Sequence, residues 1–175
     1  MFEEFNFDSI LQERSDAVSL VVMMCGVAGS GKTTFSQLLE KEGFIRLSID
    51  EEIWATRGRY GVDFPIEKIE EYKKEAEETL RSRLLNLIRQ KQNVVIDFSF
   101  WDRARRDRYK KLIENSGGKW RLIYLKVHPD DLRDRLTLRN QRFDANSFPI
   151  SEGLLTSYLE GFQIPEGEGE IVLEN

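Results

Sequence analysis

The sequence predicts an α/β fold in which a parallel β-sheet lies between two layers of helices. Short apolar runs alternate along the chain with longer amphipathic segments, which is the order that builds strand–helix–strand units. The run Val94-Val95-Ile96 is continuously apolar, as expected for a strand in the buried middle of a parallel sheet. The length of 175 residues suits one domain with a full core.

The first half of the chain begins with a polar extension, residues 1–16, that either packs on the domain at residues 17–175 or frays. This extension carries the aromatic residues Phe2, Phe5 and Phe7. An apolar run at 18–25 predicts the first strand, and alternation at 44–49 predicts the second. We expect a helix after the first strand and a short helix over 48–57 after the second.

The second half continues the same alternation. Apolar residues at helical spacing predict a long helix over 66–91, and Pro129 suits the first turn of a helix. The remaining predicted elements are a strand at 94–97, a helix at 102–116, a strand at 120–127, helices at 129–141 and 151–162, and a strand at 171–173.

A glycine-rich segment between the first strand and its helix is the most specific motif. It matches the phosphate-loop pattern G-x-x-x-x-G-K-[ST]. In this pattern the backbone N–H groups and the lysine bind the phosphates of a nucleoside triphosphate, and the hydroxyl binds Mg²⁺. The predicted nucleotide-binding residues are Gly26, Ala28, Gly29, Ser30, Gly31, Lys32, Thr33 and Thr34.

Two aspartates follow predicted strands, where ligands bind in a parallel sheet. Asp97 closes the run at 94–96 and either holds Mg²⁺ together with Thr33 or caps the next helix. Asp50 either orients and deprotonates an acceptor hydroxyl or caps the helix at 51–57. Trp54 and Arg57 share a helical face with Asp50, so they either line an acceptor pocket or, for Trp54, pack in the core.

Three arginines have a helical spacing of i, i+4 and i+7: Arg135, Arg139 and Arg142. Such a face can place cations over a transferring phosphoryl group, with the irregular segment at about 140–150 acting as a lid. The alternative is a surface face paired with acids such as Asp131 and Asp134. The basic run at 103–111 is either an anion-binding patch or a solvated helix face.

Composition restricts the location and the partners. The net charge of −5 disfavours a large nucleic-acid surface. The apolar run at 18–25 is too short to cross a bilayer, and acidic residues precede it where a secretory signal is basic. The single cysteine, Cys25, excludes an internal disulfide and suits a buried thiol. We therefore expect a cytoplasmic protein with no membrane segment.

Taken together, these motifs resemble the ATP-binding P-loop kinases of the AAA-type family AAA_33, which are similar in plan to polynucleotide 5′-hydroxyl kinases, zeta-toxin-like kinases and chloramphenicol phosphotransferase. The resemblance covers roughly residues 18–173. It implies a P-loop NTPase fold, a three-layer α/β/α sandwich with a five-stranded parallel sheet and a lid. It also implies ATP and Mg²⁺ at Lys32 and Thr33, Asp50 facing the acceptor, and arginines near the phosphates. Polynucleotide kinases of this plan carry an arginine where this chain has Ile53.

The leading hypothesis is a kinase that transfers the γ-phosphoryl group of ATP to a hydroxyl of a small molecule. Lys32, Asp50 and Arg135 are the predicted catalytic residues. The alternatives are a polynucleotide 5′-hydroxyl kinase and a non-kinase module that binds ATP for regulation. The sequence does not identify the acceptor.

Overall fold

A computed structural model of the protein describes residues 4–146 and 149–175, with side chains from Phe7 onward. Phe2, the Phe5 side chain, and the residues 147 and 148 of the predicted lid lie outside this description.

Within the described residues, five parallel strands form one sheet in the order β2-β3-β1-β4-β5. This arrangement confirms the predicted α/β fold and the five-stranded sheet. The strands are β1 (Leu20–Cys25), β2 (Ile45–Leu47), β3 (Val94–Ile96), β4 (Lys119–Lys126) and β5 (Glu170–Glu174).

The helices connect successive strands, except the first, which precedes β1 and was not predicted from the sequence; the bounds of the others agree closely with the sequence prediction. They are α1 (Glu4–Gln12), α2 (Lys32–Lys41), α3 (Ile49–Arg57), α4 (Ile69–Arg89, preceded by a 3₁₀ turn at Ile66–Lys68), α5 (Arg103–Asn115), α6 (Pro129–Arg139) and α7 (Glu152–Gly161). Among the described residues, none of these helices is long and apolar enough to span a membrane.

The core has two halves, one on each face of the sheet. Strand β1 is buried on both faces because alternate side chains enter different clusters. Val21 and Met23 pack in the half that includes α4 and α5, whereas Val22 and Met24 pack in the half that includes α2. The continuous apolar run of the sequence therefore reflects a central strand covered by helices on both sides.

The N-terminal helix α1 also packs on the domain. Ile10 is buried in the same half of the core as α2. The Phe7 ring meets the Phe35 ring edge-on, with 5.8 Å between the centroids. The extension therefore contributes apolar contacts to the face of the sheet that α2 covers.

Two helix ends matter for the site. Ser48 caps α3, since its side chain accepts a hydrogen bond from the Glu51 N–H at 3.3 Å, so Asp50 lies in the first turn and is not the cap. Helix α6 ends at Arg139, two residues before the predicted end at 141. Arg142 therefore lies beyond the helix, and the expected three-arginine helical face is reduced to Arg135 and Arg139.

Candidate active site

The phosphate loop connects β1 to α2 at the carboxyl end of the central strand. Gly29 and Gly31 have φ angles of +82° and +100°, in the left-handed region that favours glycine. Gly31 is the residue preceding the first turn of α2, which begins at Lys32. Ala28, Lys32 and Thr33 line an adjoining cavity of about 560 Å³, and Thr34 is exposed. The loop thus presents a helix N-terminus to the cavity, as an anion requires.

Lys32 lies in this cavity, and no carboxylate of the described side chains makes a hydrogen bond with it. Its Nζ donates to the Val27 carbonyl oxygen at 3.0 Å. Burial lowers the pKa of the Lys32 ammonium, and the charge of Arg139 acts in the same direction, although Asp97 opposes both. An anion entering the cavity would remove this electrostatic cost.

Asp97 follows β3 and receives several donors on one carboxylate oxygen. Its Oδ2 accepts hydrogen bonds from Thr33 Oγ1 at 3.1 Å and from Arg46 Nε and Nη2 at 3.0 and 2.7 Å. The Thr33–Asp97 contact joins the two side chains that the sequence assigns to Mg²⁺. Arg46, on β2, was not predicted from the sequence, where it is one charged residue in an alternating strand. The cap of α5 is Asp102, so Asp97 is not needed for that role.

Asp50 lies on the wall that the large cavity shares with a second cavity of about 100 Å³. Burial raises the pKa of its carboxyl group, and the charge of Asp97 adds to this effect. The cations Arg139, Lys73 and Lys32 act in the opposite direction. Asp50 is an exposed residue of α3, and its carboxyl group faces the same cavity as the phosphate-loop lysine, which suits a group that receives a proton.

The three predicted arginines have separate positions. Arg139 lines the large cavity, its buried Nε lacks a hydrogen-bond partner among the described residues, and burial lowers its pKa. Arg135 instead supports the phosphate loop, since Nη1 donates to the Gly29 carbonyl at 3.3 Å and Nη2 to the Asn175 carbonyl at 2.9 Å. Arg142 pairs with Asp144 at 2.8 Å on the surface and lines the small cavity.

The two predicted acceptor residues on α3 do not line the large cavity. Trp54 lines the small cavity, where its ring lies 5.9 Å from the ring of Phe143. Arg57 pairs with Glu75 at 2.6 Å and lies over the Tyr72 ring at 4.5 Å. Trp54 therefore remains beside Asp50, whereas Arg57 faces α4.

Most of the cavity wall beyond Asp50 was not predicted. These residues come from α4, α5, α7 and the loops after β3 and α7: Glu70, Lys73, Lys74, Glu77, Phe98, Ser99, Trp101, Arg105, Leu154, Tyr158 and Phe162. In the sequence, the charged positions of α4 look like an ordinary solvated helix face. The one available signal was the basic run at 103–111, of which Arg105 lines the cavity, while Arg106 is buried in a separate ion pair.

The predicted lid segment is held at both ends and near its middle. Asn140 and Ile150 exchange two hydrogen bonds, at 2.8 and 2.9 Å, which close the segment into a loop. Asn146 accepts a hydrogen bond from Arg46 Nη2 and donates one to Glu51 Oε1, both at 2.9 Å. Arg46 thus contacts both Asp97 and Asn146 of the predicted lid segment.

The residues present fit a nucleoside triphosphate with Mg²⁺. Lys32 and Arg139 line the cavity, and burial lowers the pKa of both cations. Arg139 Nε is a buried donor without a partner among the described residues. The Thr33 hydroxyl and the Asp97 carboxylate are oxygen ligands of the kind Mg²⁺ prefers. The fold and this loop define a P-loop protein of the kinase-like class.

The chain belongs to the AAA domain family AAA_33, whose model matches residues 21–165. This membership confirms the resemblance found in the sequence, and it supports nucleotide binding at the phosphate loop. No curated protein matches the sequence significantly.

Three solved structures share the fold. A Chloroflexus aurantiacus protein assigned as a kinase has a TM-score of 0.71 at 18% identity, with 90% of this chain and 88% of that chain covered. A chain of the Pnkp1/Rnl/Hen1 RNA repair complex gives 0.63 at 15%, with 86% and 47% covered. The Mycobacterium tuberculosis APS kinase CysC, solved with AMPPNP and APS, gives 0.55 at 15%, with 90% and 88% covered. The likeness shows the fold of P-loop kinases.

Proposed function

We propose that the protein is an ATP-dependent kinase that phosphorylates a hydroxyl group of a small molecule. The observation that carries this proposal is the shared cavity, in which the Asp50 carboxylate faces the same space as Lys32, Arg139 and the Thr33–Asp97 pair. A protein that only binds nucleotide needs no carboxylate with a raised pKa beside the phosphates, whereas transfer to a hydroxyl needs a proton acceptor there.

The proposed roles follow from these positions. The bound MgATP supplies the phosphoryl group. Asp50 accepts the proton of the acceptor hydroxyl as that oxygen bonds to the γ-phosphorus and the bond to the β-phosphate oxygen breaks. Lys32 and Arg139 stabilise the negative charge on the transferring group, and Thr33 and Asp97 would hold the metal. Arg135 acts through the loop, because it bonds to the Gly29 carbonyl.

The small molecule is favoured over a polynucleotide by charge. Nucleic-acid binding relies on many cationic contacts to phosphates, and this chain has a net charge of −5. The likeness to the RNA repair complex keeps a 5′-hydroxyl kinase as the second candidate. Steep loss of binding to a 5′-hydroxyl oligonucleotide between 50 and 200 mM salt would support that candidate, since each phosphate contact releases counterions.

The test is ADP release and phosphate transfer from MgATP over a set of hydroxyl compounds, measured for the natural protein and for Asp50→Asn. We expect transfer to at least one compound and a fall in kcat of about 10²–10⁴-fold in the variant. Asp131→Asn is the matched control, because Asp131 is an exposed acid in the first turn of α6. The rise in Tm on adding MgATP should be the same in all three proteins. A fully active Asp50→Asn protein would exclude the proposed base.

A further inference from the structure

The cavity wall beyond Asp50 carries three cations that the phosphates of ATP do not account for. Lys73 and Lys74 come from α4, and Arg105 comes from α5. Lys32 and Arg139 lie with the phosphate loop, whereas these three lie on the helices that bound the remaining space. This wall has its own acids, Glu70 and Glu77. The kind of ligand that this wall can bind therefore depends on which of these charges face the cavity.

Arg105 and Glu77 form one pair on this wall. Arg105 donates from Nε at 3.1 Å and approaches with Nη2 at 3.0 Å. Glu77 also accepts from the Tyr109 hydroxyl at 2.9 Å, so its carboxylate is occupied by two protein donors. The Arg105 side chain is 14% exposed and that of Glu77 is 31% exposed. The cation is the more enclosed member.

The guanidinium of Arg105 is also fixed in place. It lies 5.4 Å from the Phe98 ring centroid and 5.6 Å from the Phe100 ring centroid, within cation–π range. Its Nη1 makes no hydrogen bond to the described part of the chain. A preorganised guanidinium with an available N–H group is a good partner for a carboxylate or phosphate oxygen.

Lys73 and Glu70 repeat this asymmetry one helical turn away. Their charged atoms are 3.0 Å apart, but the Glu70 side chain is 81% exposed whereas that of Lys73 is 35% exposed. Lys73 is among the cations that favour the ionised form of Asp50. Glu70 is thus the more exposed member of this pair, and the three cations outnumber the two acids on this part of the wall.

We propose that the phosphoryl acceptor is a small hydroxy compound that carries an anionic group, a carboxylate or a phosphate, bound by Lys73, Lys74 and Arg105. This inference rests on the proposed kinase function and names the substrate class. Lys73 and Glu77, the partner of Arg105, are four positions apart on α4, which is about 6 Å of rise. Trp101, Tyr158 and Phe162 provide apolar surface for the carbon skeleton.

The test uses matched acceptors that differ only in the anionic group, with MgATP as donor. The pairs are glycerate and glycerol, gluconate and glucitol, and ribose 5-phosphate and ribose, so that carboxylate and phosphate are separated. We expect the anionic member of at least one pair to have a kcat/KM at least 10-fold higher. Lys73→Gln and Arg105→Gln should each raise the KM for that member about 10-fold or more, the effect of losing a charged hydrogen bond.

The KM for the neutral member and the KM for ATP should change less than twofold in these variants. In Lys73→Gln the kcat should fall for both members alike, because Lys73 favours the ionised form of Asp50. Lys68→Gln is the matched control, because Lys68 is an exposed lysine paired with Glu71 just before α4. An equal kcat/KM for the neutral and anionic members, or an equal rise in KM for both members in Lys73→Gln, would overturn the inference while leaving the kinase function intact. If no compound accepts phosphate although MgATP still raises Tm, the kinase proposal fails and the inference fails with it.

Discussion

Two groups of charged residues in this protein differ in whether other protein groups compensate their charges. In the first, Arg106 and Glu168 form a two-pronged ion pair, with Nε–Oε1 at 3.0 Å and Nη2–Oε2 at 2.8 Å, and Lys110 donates to the Glu168 carbonyl at 2.9 Å. In the second, Lys32, Asp50 and Arg139 face one cavity and none makes a hydrogen-bonded ion pair with a described residue.

The directions of the pKa shifts in the two groups show the same difference. Burial alone would favour neutral Arg106 and Glu168, but their mutual hydrogen bonds raise the pKa of Arg106 and lower that of Glu168. In the cavity, burial lowers the pKa of Lys32 and Arg139 and raises the pKa of Asp50. The first group is stabilised in its charged form by protein, whereas the second lacks sufficient compensation.

The paired group supports the site from behind. Arg106 Nη1 donates at 2.7 Å to the carbonyl of Phe100, a non-glycine residue with φ of +46°. This turn follows Phe98 and Ser99, which line the cavity. The protein therefore satisfies charges at the turn behind the cavity and leaves charges uncompensated at the candidate site, a pattern that is typical of functional sites.

The largest effect should come from removing an uncompensated cation. We expect Arg139→Gln to lower kcat about 10³-fold or more, because an arginine at a transferring phosphoryl group contributes on that scale. The stability of the ligand-free variant should not fall, since a buried charge with an unpartnered Nε is removed. Steady-state kinetics and urea unfolding measure the two quantities.

Arg142→Gln is the matched control for this prediction. Arg142 is an exposed residue of the same predicted face, paired with Asp144, and its loss should change kcat less than 10-fold. Equal losses in the two variants would mean that the distinction between Arg139 and Arg142 drawn from the cavity is wrong.

The second prediction concerns the stability that the Arg106–Glu168 ion pair contributes to the fold. Glu168→Gln leaves Arg106 buried without a countercharge, and we expect it to reduce the free energy of unfolding by about 3–5 kcal/mol. Because the pKa of Glu168 is lowered in the fold, its contribution is complete above the ordinary value of 4.5 and is lost as pH falls through the lower folded-state pKa. Urea unfolding as a function of pH measures this, and an unchanged stability at pH 7 would contradict it.

Local sequence signals were sufficient for the fold. Continuous apolar runs gave the central strands, because a strand covered on both faces has no polar side. The predicted helices at 102–116 and 151–162 begin at residues whose side chains cap α5 and α7, whereas α3 is capped by Ser48 and not by Asp50. The phosphate loop was predictable because its function requires a fixed local spacing of glycines, lysine and threonine.

The rest of the site depends in part on tertiary packing. Lys73 looks like a surface charge on an amphipathic helix, and only the packing of α4 around the cavity turns it inward, whereas Arg105 lies in the basic run for which an anion-binding patch was one of two alternatives. Arg46 reaches Asp97 across neighbouring strands. Helical spacing suggested that Arg142 would accompany Arg139, but the helix ends at Arg139.

The central claim is that protein groups do not compensate the cavity charges in the ligand-free protein, and Asp50 allows the most direct measurement. A carboxyl whose folded-state pKa is raised above its ordinary 3.8 loses stability relative to asparagine as pH rises through that pKa. We therefore expect ligand-free Asp50→Asn to match the natural protein near pH 3.8 and to be more stable at pH 7.

The decisive measurement is the difference in unfolding free energy between these two proteins from pH 4 to 8 without nucleotide. The account predicts that the advantage of Asp50→Asn grows with pH. An advantage that shrinks with pH, or a less stable variant at pH 7, would show that the protein already compensates Asp50 and would contradict the claim.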